Sequence, residues 1–242
     1  MNKNFSKPQL AQLRKEIRRL ADPKRAKNLA RFFKTGKGDY GEGDKFIGLT
    51  VPQIRKLARA YRSLGIFDLE KLARSAQHEE RMLALIMMTM RYTQKKDYFY
   101  KLYLKNRKYI NNWDLVDVTC TRIVGDYLLD KPRDILYVFA RSKNLWERRI
   151  AIISTAMFIQ RNDFSDTLKL AKILLKDKHD LIHKAVGWML REVGKRDKKT
   201  EECFLKKHSK NMPRTMLRYA IEKFPERERK KYLKSGYFLK KE

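Results

Sequence analysis

The sequence predicts an all-α fold, an α-solenoid of stacked antiparallel helix pairs. Three observations predict it. Runs of period 2 and Asn-Gly hairpin signals are essentially absent, while apolar residues recur at helical spacing along most of the chain. All six prolines (Pro8, Pro23, Pro52, Pro132, Pro213 and Pro225) fall at or near expected helix starts, where a missing N–H is harmless. A weak repeat recurs in similar helices at Arg81-Met82-Leu83-Ala84, Arg149-Ile150-Ala151-Ile152, Lys184-Ala185-Val186-Gly187 and Thr215-Met216-Leu217-Arg218, with spacings of 68, 35 and 31 residues. A unit of roughly 35 residues is a helix pair of solenoid size, and stacking such pairs gives a curved array with a concave face.

The periodicity gives about fourteen helices, with approximate spans 7–20, 23–34, 52–63, 68–75, 79–93, 97–108, 113–129, 133–142, 146–161, 166–176, 181–194, 198–208, 213–223 and 226–234. Ser6, Asp22 and Thr50 are N-cap candidates before the first three. One segment breaks the pattern. Residues 35–49 hold five of the ten glycines and form a loop, either a connector or a place where backbone approaches a phosphate. It matches neither a Walker A nor a dinucleotide fingerprint. The 242 residues are expected to form a single domain with short tails at each end.

Charge narrows the function. Lys and Arg number 58 against 28 Asp and Glu, a formal net charge of +30. Such an excess is the footprint of a polyanion, most often nucleic acid. Cys120 and Cys203 stand in unrelated contexts, which excludes a disulfide framework and metal-ligand spacing. His179 and His183 are four apart, but no third ligand matches them, and Asp180 reads as an N-cap that leaves His179 outside the helix. No metal or cofactor is expected. No apolar run approaches membrane-spanning length, and a cytoplasmic protein is expected.

Several residues fall off pattern. Asn112 is a good N-cap for helix 113–129, and Asp114 suits its first turn. Trp113 and Asp117 lie four apart on one face, at the edge of a core stripe of Val116, Cys120, Ile123, Val124 and Tyr127. A π-surface beside a carboxylate, in so basic a chain, suits a cationic group. Trp188 falls off the core stripe of Ile182, Ala185, Val186, Met189, Leu190 and Val193, beside Lys184 and Arg191. It either marks a functional surface or covers a helix edge. Arg149 shares a stripe with Ile153 and Ala156, so it pairs with a buried carboxylate or points at an anion. Arg214, Arg218 and the basic stretch 227–231 supply further candidates for phosphate contact.

Asn-Asn-Trp-Asp-Leu-Val-Asp (111–117), Leu-Trp-Glu-Arg-Arg-Ile-Ala-Ile (145–152), His-Lys-Ala-Val-Gly-Trp-Met-Leu-Arg-Glu (183–192) and Pro-Arg-Thr-Met-Leu-Arg-Tyr-Ala (213–220) resemble the AlkD-type DNA alkylation repair proteins. Lys-Phe-Ile-Gly-Leu-Thr-Val-Pro (45–52) is similar to the family's N-terminal signature, and the likeness spans roughly 30–235. The resemblance implies a HEAT-like superhelix with a basic concave groove for duplex DNA. It implies hydrolysis of the N-glycosidic bond of positively charged alkylpurines, such as 3-methyladenine and 7-methylguanine, without full extrusion of the base. It matches Asp117 to the catalytic carboxylate, Trp113 and Trp188 to two groove aromatics, and Arg149 to the arginine at the DNA backbone, with neighbouring Arg148 as the alternative for that reach. Lys184, Arg191, Arg214, Arg218 and Tyr40 complete the expected DNA-binding set, although segment 36–44 is longer and more Gly-rich than in the best-characterised type. A monomer that acts on double-stranded DNA containing alkylated bases, and is nucleoid-associated when bound, is expected. Two alternatives stand beside it: a non-catalytic binder of branched or damaged DNA, and a scaffold whose basic face meets an acidic protein.

Overall fold

The computed structural model describes residues 9–235, and the expected start of the first helix at residue 7, with Ser6 and Pro8, lies outside them. The described residues are all-α, with fifteen α-helices linked by short 3₁₀ turns. An isolated parallel bridge between Lys45 and Gln77 is the extended pairing recorded among them. No described helix is long and apolar enough to cross a membrane. The chain divides into two compact units, with the boundary between Thr119 and Cys120.

The first unit holds α1 (Gln9–Arg19), α2 (Pro23–Phe32), α3 (Val51–Ala60), α4 (Ile66–Ala73), α5 (His78–Arg91), α6 (Lys96–Asn106) and α7 (Trp113–Asp117). Helices α2 and α3 start where the proline and cap signals put them. Asp22 accepts from the Arg25 N–H with Pro23 in the first turn, and Thr50 forms a full capping box with Gln53. The centre is α5, buried continuously from His78 to Met88 and packed on α3, α4 and α7. Four of its buried residues are polar: His78, Glu79, Glu80 and Arg81. Arg14 of α1 grips Glu80 through two N–H···O bonds of 2.9 Å.

The second unit holds α8 (Asp134–Ala140), α9 (Leu145–Ser154), α10 (Ala156–Gln160), α11 (Ser165–Ile173), α12 (Asp180–Arg196), α13 (Lys198–His208), α14 (Arg214–Ala220) and α15 (Glu226–Ser235), preceded by a π-helical turn over Thr121–Gly125. Helix α12 packs against α9 on one side and α14 on the other, while α11 and α13 also lean on it. Its buried face is the expected stripe of Ile182, Ala185, Val186, Met189, Leu190 and Val193. The α12–α14 approach is close: a Cβ on Gly187 would lie 2.4 Å from the Met216 carbonyl oxygen. The repeat seen in the sequence at 149, 184 and 215 is thus a row of three neighbouring helices.

Two expected helices are interrupted. Helix 113–129 is α7 followed by the π-turn, and helix 146–161 is α9 and α10 broken at Thr155. Each break has a buried threonine beside it. Thr119 Oγ1 donates to the Leu115 carbonyl at 2.6 Å, and Thr155 Oγ1 donates to the Ile152 carbonyl at 2.7 Å. Such back-bonding competes with the regular i→i−4 ladder. The π-turn adds a residue to its turn and rotates the helical residues after it. Leu128 accordingly takes the buried position expected for Tyr127, which is only half-buried.

The junction of α12 and α13 holds an unusual carboxyl. Glu201 of α13 is 1 % exposed, one of its oxygens lacks a hydrogen-bond partner, and it occupies the space that a side chain at Gly194 would need. Burial, with the neighbouring Glu202 charge, pushes its pKa up to about 8. The folded chain therefore keeps a proton that the unfolded chain loses above its ordinary value of 4.5. The stability that this protonated carboxyl contributes is present in full below 4.5 and is lost as pH rises through about 8. Glu201→Gln is expected to melt at a higher temperature than the unmodified chain at pH 8.5, with the difference shrinking toward pH 5. An equal difference at both pH values in thermal melts would show that the carboxyl does not titrate there.

Candidate nucleic-acid interface

In the first unit the motif 111–117 is built as its residue types dictate. Asn112, fully buried, caps α7, and its Oδ1 accepts from the Trp113 N–H at 2.9 Å. The helix lasts only five residues, so Trp113 opens it and Asp117 closes it, four apart on one face. Both are half-buried. Behind Trp113 stands an aromatic column. Its ring stacks on Phe33 at 5.3 Å, Phe33 stacks on Phe46 at 5.1 Å, and Phe46 stacks on the His78 ring at 4.5 Å. Phe32, 64 % exposed, meets Trp113 edge-on at 6.1 Å and widens the aromatic surface.

His78 is the pivot of a buried polar cluster. Its Nδ1 lies 2.8 Å from Asp44 Oδ2 and its Nε2 lies 2.8 Å from Asp114 Oδ2. Burial alone would lower its pKa, but hydrogen bonds and charge from Asp114 and Asp44 outweigh it and raise the value to about 9. The ring is therefore an imidazolium at neutral pH, bridging two carboxylates. Arg81 donates to Asp44 at 2.5 Å, to Asn111 Oδ1 at 3.0 Å and to the Ser75 carbonyl at 2.8 Å. Burial opposes ionisation of Asp44, yet His78 and Arg81 hold its pKa below the usual carboxylate value. One residue on, the Glu79 carboxylate accepts from the backbone N–H groups of Ile47, Gly48 and Leu49 at 2.9, 2.7 and 3.2 Å. The first turn of α5 thus clamps the Gly-rich segment on one side and the start of α7 on the other.

This cluster alters two readings of the sequence. Asp114, expected only as a first-turn partner of the helix dipole, also ties α7 to His78. The loop 35–49 is anchored through Asp44 and Glu79, with Tyr40 half-buried in its turn. Asp44, His78, Phe33 and Phe46 were not foreseen as site residues. The partners of His78 lie 34 and 36 residues away, beyond any local spacing rule.

In the second unit Arg149 is 5 % exposed, and its Nη1 donates to the Leu181 carbonyl at 2.6 Å, bracing α9 against the first turn of α12. Arg148 is bound at 2.6 Å to Asp177 Oδ2, and it donates to the carbonyls of Ser142 and Lys143 at 3.0 Å each. The expected N-cap of α12 is one residue out: His179 caps it, with Nδ1 accepting from the Leu181 N–H at 3.1 Å, and Asp180 is the first helical residue. Trp188 is half-buried, and its Nε1 donates to Glu192 Oε1 at 3.1 Å. The two cations that flank it are occupied. Lys184 pairs with Asp180 at 2.7 Å, and Arg191 pairs with Glu222. Arg214 donates to the Leu233 carbonyl at 2.6 Å, whereas Arg218 is exposed. Among the described residues no group of three His, Cys, Asp or Glu is placed to hold a metal ion.

A predicted DNA alkylation repair enzyme from Enterococcus faecalis has a similar structure, with a TM-score of 0.68 and 17% identity over 85% of this chain and 97% of that one. At that identity the likeness speaks to the fold. No curated protein matches the sequence. The model of the DNA alkylation repair enzyme family matches residues 13–224, nearly the whole of the described chain, and the chain belongs to that family.

Proposed function

We propose that the protein is a monofunctional DNA glycosylase that releases positively charged alkylpurines, such as 3-methyladenine and 7-methylguanine, from duplex DNA. The observation that carries this reading is the pairing of Trp113 and Asp117 on one face of α7, with an aromatic column fixing the indole from behind. The net charge of +30 supplies affinity for the phosphate backbone. The row α9–α12–α14 supports a HEAT-like repeat, on which duplex DNA is proposed to lie.

The chemistry follows from the substrate's own charge. An alkylated purine is already cationic, so it departs with the bonding electrons of the C1′–N bond and leaves as a neutral base. No protonation of the leaving group is needed. Positive charge grows on the deoxyribose, and the Asp117 carboxylate and the Trp113 face stabilise it. Water then bonds to C1′ and gives up its proton, with Asp117 positioned to orient the water and accept that proton. Trp188 is assigned a second aromatic contact with the nucleic acid. Arg149 is assigned as a brace for the α9–α12 packing, Arg148 as a tie to the turns before α9 and α12, and exposed Arg218 as a phosphate contact. No cofactor enters this scheme.

Incubation with methylated genomic DNA, followed by chromatography of the bases released, tests the proposal. Release of free 3-methyladenine and 7-methylguanine is expected. Undiminished binding to DNA junctions without any release would replace it by a non-catalytic binder of branched DNA.

A further inference from the structure

Helices α11 and α13 enclose a cleft of about 400 Å³ on the second unit. Its rim is cationic on both sides. Lys169 and Lys172 come from α11, and Lys199 and Lys207 come from α13. All four are exposed, and among the described residues none of them forms an ion pair. The nearby carboxylates have closer partners, although Asp163 and Asp197 still feel the charges of Lys169 and Lys199. Asp163 is held by Arg133, Asp197 caps α13 on Thr200, and Glu201 is buried. His208 also lines the cleft, and its pKa is lowered first by burial and then by the charges of Lys172 and Lys207. The floor is apolar, formed by Leu168, Phe204 and the exposed thiol of Cys203. Helical spacing arranges these groups: Lys199, Cys203 and Lys207 form one stripe of α13, and Thr200, Phe204 and His208 the next.

We propose that this cleft is a binding site for a nucleic-acid strand with unpaired bases. Phosphates lie along the lysines, and a base or sugar face covers Leu168 and Cys203. Four ammonium groups without an ion pair around one recess favour a polyanion. The apolar floor selects the kind. A duplex turns its bases inward and would leave half-buried Leu168 and exposed Cys203 uncovered, whereas a single strand offers a base face to them. The cleft contains none of the residues assigned above to base release, so it stands apart from that proposal.

Cys203 provides the test. Cys120 is fully buried, so the rate of thiol modification in the native protein reports Cys203 alone. A twelve-nucleotide oligothymidine is expected to protect Cys203, while polyglutamate of equal charge and a blunt duplex of the same length are not. Lys172→Gln with Lys207→Gln is expected to abolish protection and weaken single-strand binding about tenfold, with the salt slope shallower by roughly 1–1.5. Lys56→Gln with Lys101→Gln removes the same charge from exposed positions of the first unit and is expected to leave protection intact. Equal protection by polyglutamate would make this a site for acidic polypeptides. Equal protection by the duplex, no protection by the strand, or an equal loss in the control variant would each overturn the proposal.

Discussion

Asn in place of Asp117 is expected to slow base release by roughly two to three orders of magnitude while DNA affinity changes by less than about threefold. The substitution keeps the shape of the side chain at the end of α7 and removes its charge. The proposed role is electrostatic and is realised as the sugar becomes cationic, so the loss belongs in the chemical step rather than in binding. A single-turnover rate at saturating protein isolates that step, and a filter-binding or anisotropy titration reads affinity separately. In a chain with 58 basic residues, one lost carboxylate cannot weaken attraction to phosphates. A drop in rate with intact binding therefore separates catalysis from the basic surface. An unchanged single-turnover rate would remove Asp117 from the mechanism. Abolished release together with a lowered melting temperature would point to a folding role of the carboxylate.

The sequence exposed the parts of this arrangement that rest on local rules. The Asn112 cap, the spacing of Trp113 and Asp117 and the buried stripe of α12 follow from cap chemistry and from 3.6-residue periodicity, and the structure has them in place. The breaks at Thr119 and Thr155 were not legible, because a threonine hydroxyl that bonds back to its own turn looks like any other half-polar residue in a helical pattern. Arg149 shows a different limit. Its position on an apolar stripe suggested either a buried carboxylate or an outside anion, and only the tertiary packing supplies the Leu181 carbonyl. The His78 cluster was hidden for the same reason. Its members come from the Gly-rich loop, the start of α5 and the start of α7, and each alone has an ordinary explanation.

That cluster carries the second large effect. His78→Leu is expected to destabilise the first unit by about 3 kcal/mol, because it leaves two carboxylates facing an apolar side chain. Arg81 still neutralises Asp44, which keeps the cost toward the lower end for a broken buried pair. The direction with pH follows from the raised pKa. The folded state holds the imidazolium proton up to about 9, whereas the unfolded chain releases it near 6.5. The stabilisation is present in full below 6.5 and is lost as pH rises through 9. His78→Gln, which retains hydrogen bonding without the charge, is expected to melt at a temperature that changes less between pH 6.5 and 9.5 than that of the unmodified chain. The same variant is expected to lower the single-turnover rate of base release, because Asp114 is the tie between His78 and α7 and the column that backs Trp113 ends on the His78 ring. A parallel fall in melting temperature for both proteins across that pH range would show that the imidazole is not the titrating group. A flattened profile with an unchanged rate would confine His78 to holding the loop and would leave the placement of Trp113 and Asp117 to Asn112 and Phe33.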